Sequence, residues 1–202
     1  MPTLYDDPFS RNGYKIRLLL SHLKLSFKSV RLDIMKGETR QPGFLAKNVA
    51  GRIPALELDD GTMLAESGAI LFYLAEGTPL LPEDRLGRAQ VLRWMFFEQN
   101  MIESTIGTRR FYVRTGRDQE RPDAFKQRGE VVLDALQAME RHLADGRGWL
   151  ACQRFTIADI AVYGYLSVAE EAALDMSPYP NILAWRKRVE SLPGHVAWDW
   201  GI

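Results

Sequence analysis

Every convincing strand signal in this chain falls before residue 65, and beyond residue 85 the apolar residues recur only at helical spacing. That asymmetry excludes one sheet running through the whole chain and predicts two different packings in succession. In the first stretch, residues 3–5 read as a short strand closed by Asp6, Asp7 and Pro8. Residues 13–25 form the next element, a helix with Ile16, Leu19, Leu20 and Leu23 on one face. Residues 27–32 form a second strand. A polar segment with Gly37, Pro42 and Gly43 then surrounds a short helical piece near 44–48. Residues 55–58 and 62–64 alternate around Asp59-Asp60-Gly61, which is hairpin chemistry. A helix over 67–75 closes the stretch. A helix between two strands implies a parallel pair, and the hairpin adds an antiparallel one, so a mixed sheet covered by helices is expected.

Residues 77–84, with Gly77, Pro79 and Pro82, read as a linker between a domain at 1–76 and an all-helical one at 85–202. A long helical stretch over 86–116 places Leu92, Met95, Phe96, Gln99, Ile102 and Ile106 near one face. Pro122 suits the first turn of a helix running to about 145 through Val132, Leu136, Met139 and Leu143. Two or more helices end the chain, one opened by Pro180. Thr156 and Asp159 are spaced as a capping box, with Phe155 and Ile160 as its staple, so Asp159 is expected to be structural rather than catalytic.

Basic and acidic residues balance at 26 each, which points away from nucleic acid as a partner. The one cysteine, Cys152, excludes an internal disulfide and a dithiol mechanism, and fits a reducing compartment. No apolar run approaches membrane-spanning length, and the first residues lack the pattern of a signal peptide. A cytoplasmic protein with small-molecule partners is the expectation. His22, His142 and His195 have no spacing that suggests a metal site.

Several segments in order, Phe9–Arg17, Phe44–Asn48, Gly51-Arg52-Ile53-Pro54-Ala55-Leu56, Asp60-Gly61, Leu64–Ile70 and the Thr156–Asp159 box, together resemble the glutathione transferase superfamily over nearly the whole chain. The resemblance implies a thioredoxin-like α/β domain with a mixed four-stranded sheet, succeeded by an all-α domain. It also implies glutathione as co-substrate, no metal, and a homodimer. Pro54 is expected to be cis, turning the Ile53 backbone toward the cysteinyl unit of glutathione. Glu66 suits the γ-glutamyl ammonium, and Ser67 with the adjoining helix start suits its carboxylate, although Ser67 also reads as a plain N-cap. Lys36, Arg40 and Arg52 compete for the glycyl carboxylate.

Ser10 and Asn12, between the first strand and the first helix, are the candidates for supporting the thiolate, and each also reads as a cap. The family's branches place Tyr, Ser, Cys or Asn at this point. The Ser-x-Asn arrangement is similar to that of bacterial branches, while Tyr5 is expected to pack in its strand. Phe9, Arg109, Arg110, Phe111 and Tyr112 are candidates for a hydrophobic electrophile, expected against the helical domain. The implied activity is conjugation of the glutathione thiol to a small hydrophobic electrophile, a detoxifying reaction. The alternatives are a glutathione-dependent disulfide or peroxide reductase, and a non-catalytic regulatory protein on the same fold.

Overall fold

Leu4 and Asp6 are buried while Thr3 and Tyr5 between them are partly open, the period-two pattern of a half-covered strand. This strand, Thr3–Asp6 (β1), lies inside a four-stranded sheet of order β2-β1-β3-β4, where β2 is Lys28–Arg31, β3 is Ala55–Glu57 and β4 is Met63–Ala65. β1 runs parallel to β2 in the register Leu4–Ser29, and antiparallel to β3 in the register Leu4–Leu56. β3 and β4 form the hairpin, with Ala55 opposite Ala65. Helix α1 (Arg11–His22) makes the crossover, a short turn α2 (Pro42–Leu45) precedes the hairpin, and α3 (Ser67–Ala75) comes after it. Ile16, Leu19, Leu20, Leu56, Ile70 and Leu71 are fully buried. Each such side chain stabilises the fold by about 1.5–3 kcal/mol relative to exposure.

The computed structural model describes residues 1–202. It divides into Met1–Glu76 with Pro193–Ile202 as one unit and Gly77–Leu192 as the other. Residues 193–202 thus pack with the first unit. The last residues belong to the first unit because α1 holds them: Tyr14 donates to Val196 O at 2.9 Å, and the buried Arg17 donates to Trp198 O at 2.7 Å.

The second unit is helical throughout: α4 (Arg85–Phe97), a π-helical segment Glu98–Gly107, α5 (Thr108–Thr115), α6 (Arg117–Glu120), α7 (Pro122–Leu143), α8 (Ile157–Leu166) and α9 (Pro180–Glu190). The stretch expected as one α-helix over 86–116 thus winds wide in its middle. Hydroxyls there compete for the ladder carbonyls, with Thr105 donating to Met101 O at 2.5 Å and Thr108 to Ser104 O at 2.9 Å. Pro122 and Pro180 both occupy the first turn of their helices. The Glu140 carboxylate on α7 caps α9, accepting from the Asn181 and Ile182 N–H groups at 3.0 Å each.

At the start of α8, Thr156 Oγ1 accepts from Ala158 N at 3.3 Å, and the Asp159 carboxylate accepts from Thr156 N at 2.9 Å. Asp159 also accepts from Leu150 N at 3.0 Å and Trp185 Nε1 at 2.9 Å, so one buried carboxylate ties α8, α9 and the preceding loop together. No helix is long and apolar enough to cross a membrane.

Candidate functional site

Three chain segments meet where the starts of α1 and α3 face the end of the β3–β4 hairpin. The turn from β1 into α1 is held by Asp7, whose carboxylate accepts from Phe9 N at 2.8 Å and whose carbonyl accepts from Ser10 N at 2.9 Å. Ser10 then caps α1, its hydroxyl accepting from Gly13 N at 3.0 Å. A hydroxyl that accepts keeps its own proton to donate, so capping and donation to a sulfur are compatible at Ser10. Gly13 is required by close approach: a Cβ there would lie 1.8 Å from the Asp6 carboxylate, which is itself paired with Arg17. That contact sets the start of α1 against the end of β1.

The Ile53–Pro54 peptide is cis, and neither the N–H nor the C=O of Ile53 enters a backbone hydrogen bond of the chain. Because Ala55 pairs with Ala65, these groups lie level with Glu66 and Ser67 across the hairpin. Glu66 is exposed and sits in the left-handed region at φ 68°, a conformation that costs about 1–3 kcal/mol and persists where the surroundings impose it. It precedes α3 without capping it, and no other side chain caps that helix. Ser67 is the first residue of the helix, not its cap. Its hydroxyl donates instead to Asn12 Oδ1 at 3.2 Å, joining the starts of the two helices. The first N–H groups of α3, at the positive end of its dipole, therefore carry no side-chain cap.

Asn12 Oδ1 also accepts from the Lys15 ammonium at 2.7 Å. An ammonium can only donate, so the amide oxygen is fixed on that side. Asn12 thus bridges α1 and α3, a role that no sequence pattern signals. Tyr5 is engaged within the sheet: its hydroxyl donates to Glu57 at 2.6 Å, and burial together with that carboxylate raises its pKa. Among the three cations expected at the glycyl carboxylate, Arg40 donates to Ala50 O at 3.0 Å. Lys36 is highly exposed, 3.5 Å from Asp33, and Arg52 is exposed.

The electrophile candidates divide. Phe9 is exposed beside Ser10, its ring stacked on Trp198 with centroids 5.6 Å apart. In the second unit, Arg109 is buried and donates to Phe125 O, Ala172 O and Ala173 O. Its guanidinium lies 3.7 Å from the Phe125 ring centroid. The Arg109 guanidinium nitrogens thus all bond within the second unit. Arg110 is paired with Glu171 at 2.5 Å. Phe111 and Tyr112 are exposed and half-buried on α5. Trp198 escapes a motif-based reading, although two tryptophans within five residues of the chain end are a visible sign of a segment that docks.

Known proteins share the sequence pattern and the fold. Residues 2–76 match the family described as Glutathione S-transferase, N-terminal domain, and residues 97–193 match Glutathione S-transferase, C-terminal domain. The chain is 31% identical to the disulfide-bond oxidoreductase YfcG of Escherichia coli K12, over 96% of this chain and 92% of that one. A crystal structure of a possible glutathione S-transferase from Rhodopseudomonas palustris superposes with a TM-score of 0.94 at 44% identity, covering 99% of this chain and 90% of that one. Ure2p in complex with glutathione superposes at 0.88 with 28% identity, covering 96% of this chain and 95% of that one.

Proposed function

The chain belongs to the glutathione S-transferase family, and from that premise we propose that it binds glutathione in its first unit and activates the thiol for attack on a small hydrophobic electrophile. The observation that carries this proposal is the uncapped start of α3 beside a serine with a proton left to donate. The γ-glutamyl carboxylate takes the Ser67 hydroxyl and the helix N–H groups, and its ammonium takes Glu66. The Ile53 backbone pairs with the cysteinyl unit as one more strand. Lys36 and Arg52, whose heads are not tied to a backbone carbonyl, reach for the glycyl carboxylate more freely than Arg40. Ser10 donates to the sulfur at the positive end of α1, which favours thiolate over thiol. The thiolate then attacks an electrophilic carbon and the leaving group departs with its bonding electrons. Phe9, exposed beside Ser10, is the electrophile contact that the first unit supplies. We place the reaction in the cytoplasm, where glutathione is kept reduced, and read its purpose as detoxification.

The test is the pH dependence of thiolate absorbance in the glutathione complex. Ser10→Ala should raise the thiol pKa and slow conjugation by less than about 10²-fold, since the thiolate exists before the reaction. Asn12→Ala should weaken glutathione binding through Ser67 and leave the pKa in place. If Asn12→Ala moves the pKa and Ser10→Ala does not, Asn12 is the donor. If neither does, backbone amides and the helix end activate the sulfur.

One observation favours a second activity, reduction of disulfides: the Escherichia coli relative carries that name. The chemistry needs no protein cysteine here, because a glutathione thiolate attacks the disulfide and a second glutathione resolves the mixed disulfide. A panel of chloronitrobenzenes, hydroperoxides and small disulfides separates conjugation from reduction, and inertness toward all three together with tight glutathione binding would indicate a regulatory member. For assembly, we propose a symmetric homodimer that covers the exposed Leu86 and Phe96 of α4, each 69% open.

A further inference from the structure

Residues 194–198 run along α1 from its last turn toward its first, and Trp200 then returns to Phe27 beyond the helix end. Gly194 presses on His22 so closely that a Cβ there would lie 2.3 Å from His22 Nδ1. Next, the Tyr14 hydroxyl meets His195 Nε2 at 3.3 Å while donating to Val196 O. Arg17, whose side chain is fully buried, holds the Trp198 carbonyl with one arm and the Asp6 carboxylate with the other. The anchor delivers the Trp198 ring to Phe9, with planes inclined by 24°, and to Arg11, whose guanidinium lies 5.9 Å from the ring centroid. Phe9 immediately precedes Ser10. Yet both rings stay open, Phe9 by 45% and Trp198 by 39%. Arg17 anchors the Trp198 backbone, and the two rings brought together there keep open surface.

We propose that Trp198 is a specificity-determining residue of the thiol site. With Phe9 it forms an aromatic wall that favours electrophiles bearing a planar aromatic ring over aliphatic ones. This rests on the glutathione site proposed above. Aromatic rings prefer offset stacking, and a wall already locked through its backbone carbonyl loses little freedom when a ring settles against it.

The experiment is calorimetric titration of wild type, Trp198→Leu and Trp198→Phe with glutathione, S-(p-nitrobenzyl)glutathione and S-hexylglutathione. Trp198→Leu should weaken the nitrobenzyl adduct by roughly 3- to 10-fold. It should change the hexyl adduct less than about 2-fold and leave glutathione itself unaffected. Trp198→Phe, which keeps a ring, should restore most of the nitrobenzyl affinity. Equal losses for the two adducts, or no loss, overturn the proposal while leaving the glutathione site standing. Failure of wild type to bind glutathione removes that site, and the wall with it.

Discussion

Glu66 concentrates two opposed demands in one residue. Its left-handed backbone is strained for a residue with a Cβ, and its exposed carboxylate is the partner assigned to the γ-glutamyl ammonium. Glu66→Gly should therefore stabilise the fold by about 1 kcal/mol in urea titration while weakening glutathione by about 2–3 kcal/mol in calorimetry. Glu66→Ala should share the affinity loss without the gain in stability. Equal stability of the two variants would show that the backbone is not strained there, and unchanged affinity would remove the carboxylate from the site. At this scale the sequence is informative wherever the chemistry is local. Ser10 and Thr156 are caps legible from residue type and spacing. The Asn12–Ser67 bridge and the interior role of Arg109 are not legible, because their partners are 55 and up to 64 residues away.

Among the elements, α8 and α1 carry ionisable groups whose burial sets a pH response. Asp159→Ala should leave Trp185 Nε1 and Leu150 N without their acceptor and cost about 2–5 kcal/mol, read from the urea midpoint. Burial pushes Asp159 up to about 6, overcoming the hydrogen bonds that favour its ionised form. Burial, with a smaller contribution from His195, pushes His22 down to about 4. The signs oppose. The folded state keeps the Asp159 proton where the unfolded chain has lost it, so this contribution falls as pH rises from about 4 through 6. His22 stays neutral where the unfolded chain would take up a proton, so its contribution is full above about 6.5 and fades as pH falls toward 4. Any stability deficit of His22→Gln relative to wild type should accordingly shrink between pH 6.5 and 4, measured as the difference in Tm. A deficit that does not change with pH would mean that His22 is not held neutral. The helices themselves are legible from apolar spacing and from Pro122 and Pro180. The widening at Glu98–Gly107 is not, because whether a helical serine or threonine bonds back to the ladder depends on its neighbours in space.

Across the molecule, the change from alternating strands and helices to helices alone is enough to identify the fold class, since each packing needs its own periodicity. The docking of Pro193–Ile202 onto α1 is not legible in the same way, since nothing local in a tail names its distant partner. Deleting those residues should cost the first unit about 2–4 kcal/mol by urea titration, through the lost carbonyl at Arg17 and the lost cover over Tyr14 and Phe27. An unchanged midpoint would relegate the tail to decoration. For the proposed dimer, light scattering should give twice the 23.0 kDa chain mass for wild type, and Phe96→Glu should shift it toward the monomer. The tail has one more consequence, in the order of synthesis. Domains generally mature in the order they leave the ribosome. Here the strands and α1 wait for residues 193–202, which leave the ribosome after the whole of Gly77–Leu192. The unit translated first is the one that is finished last.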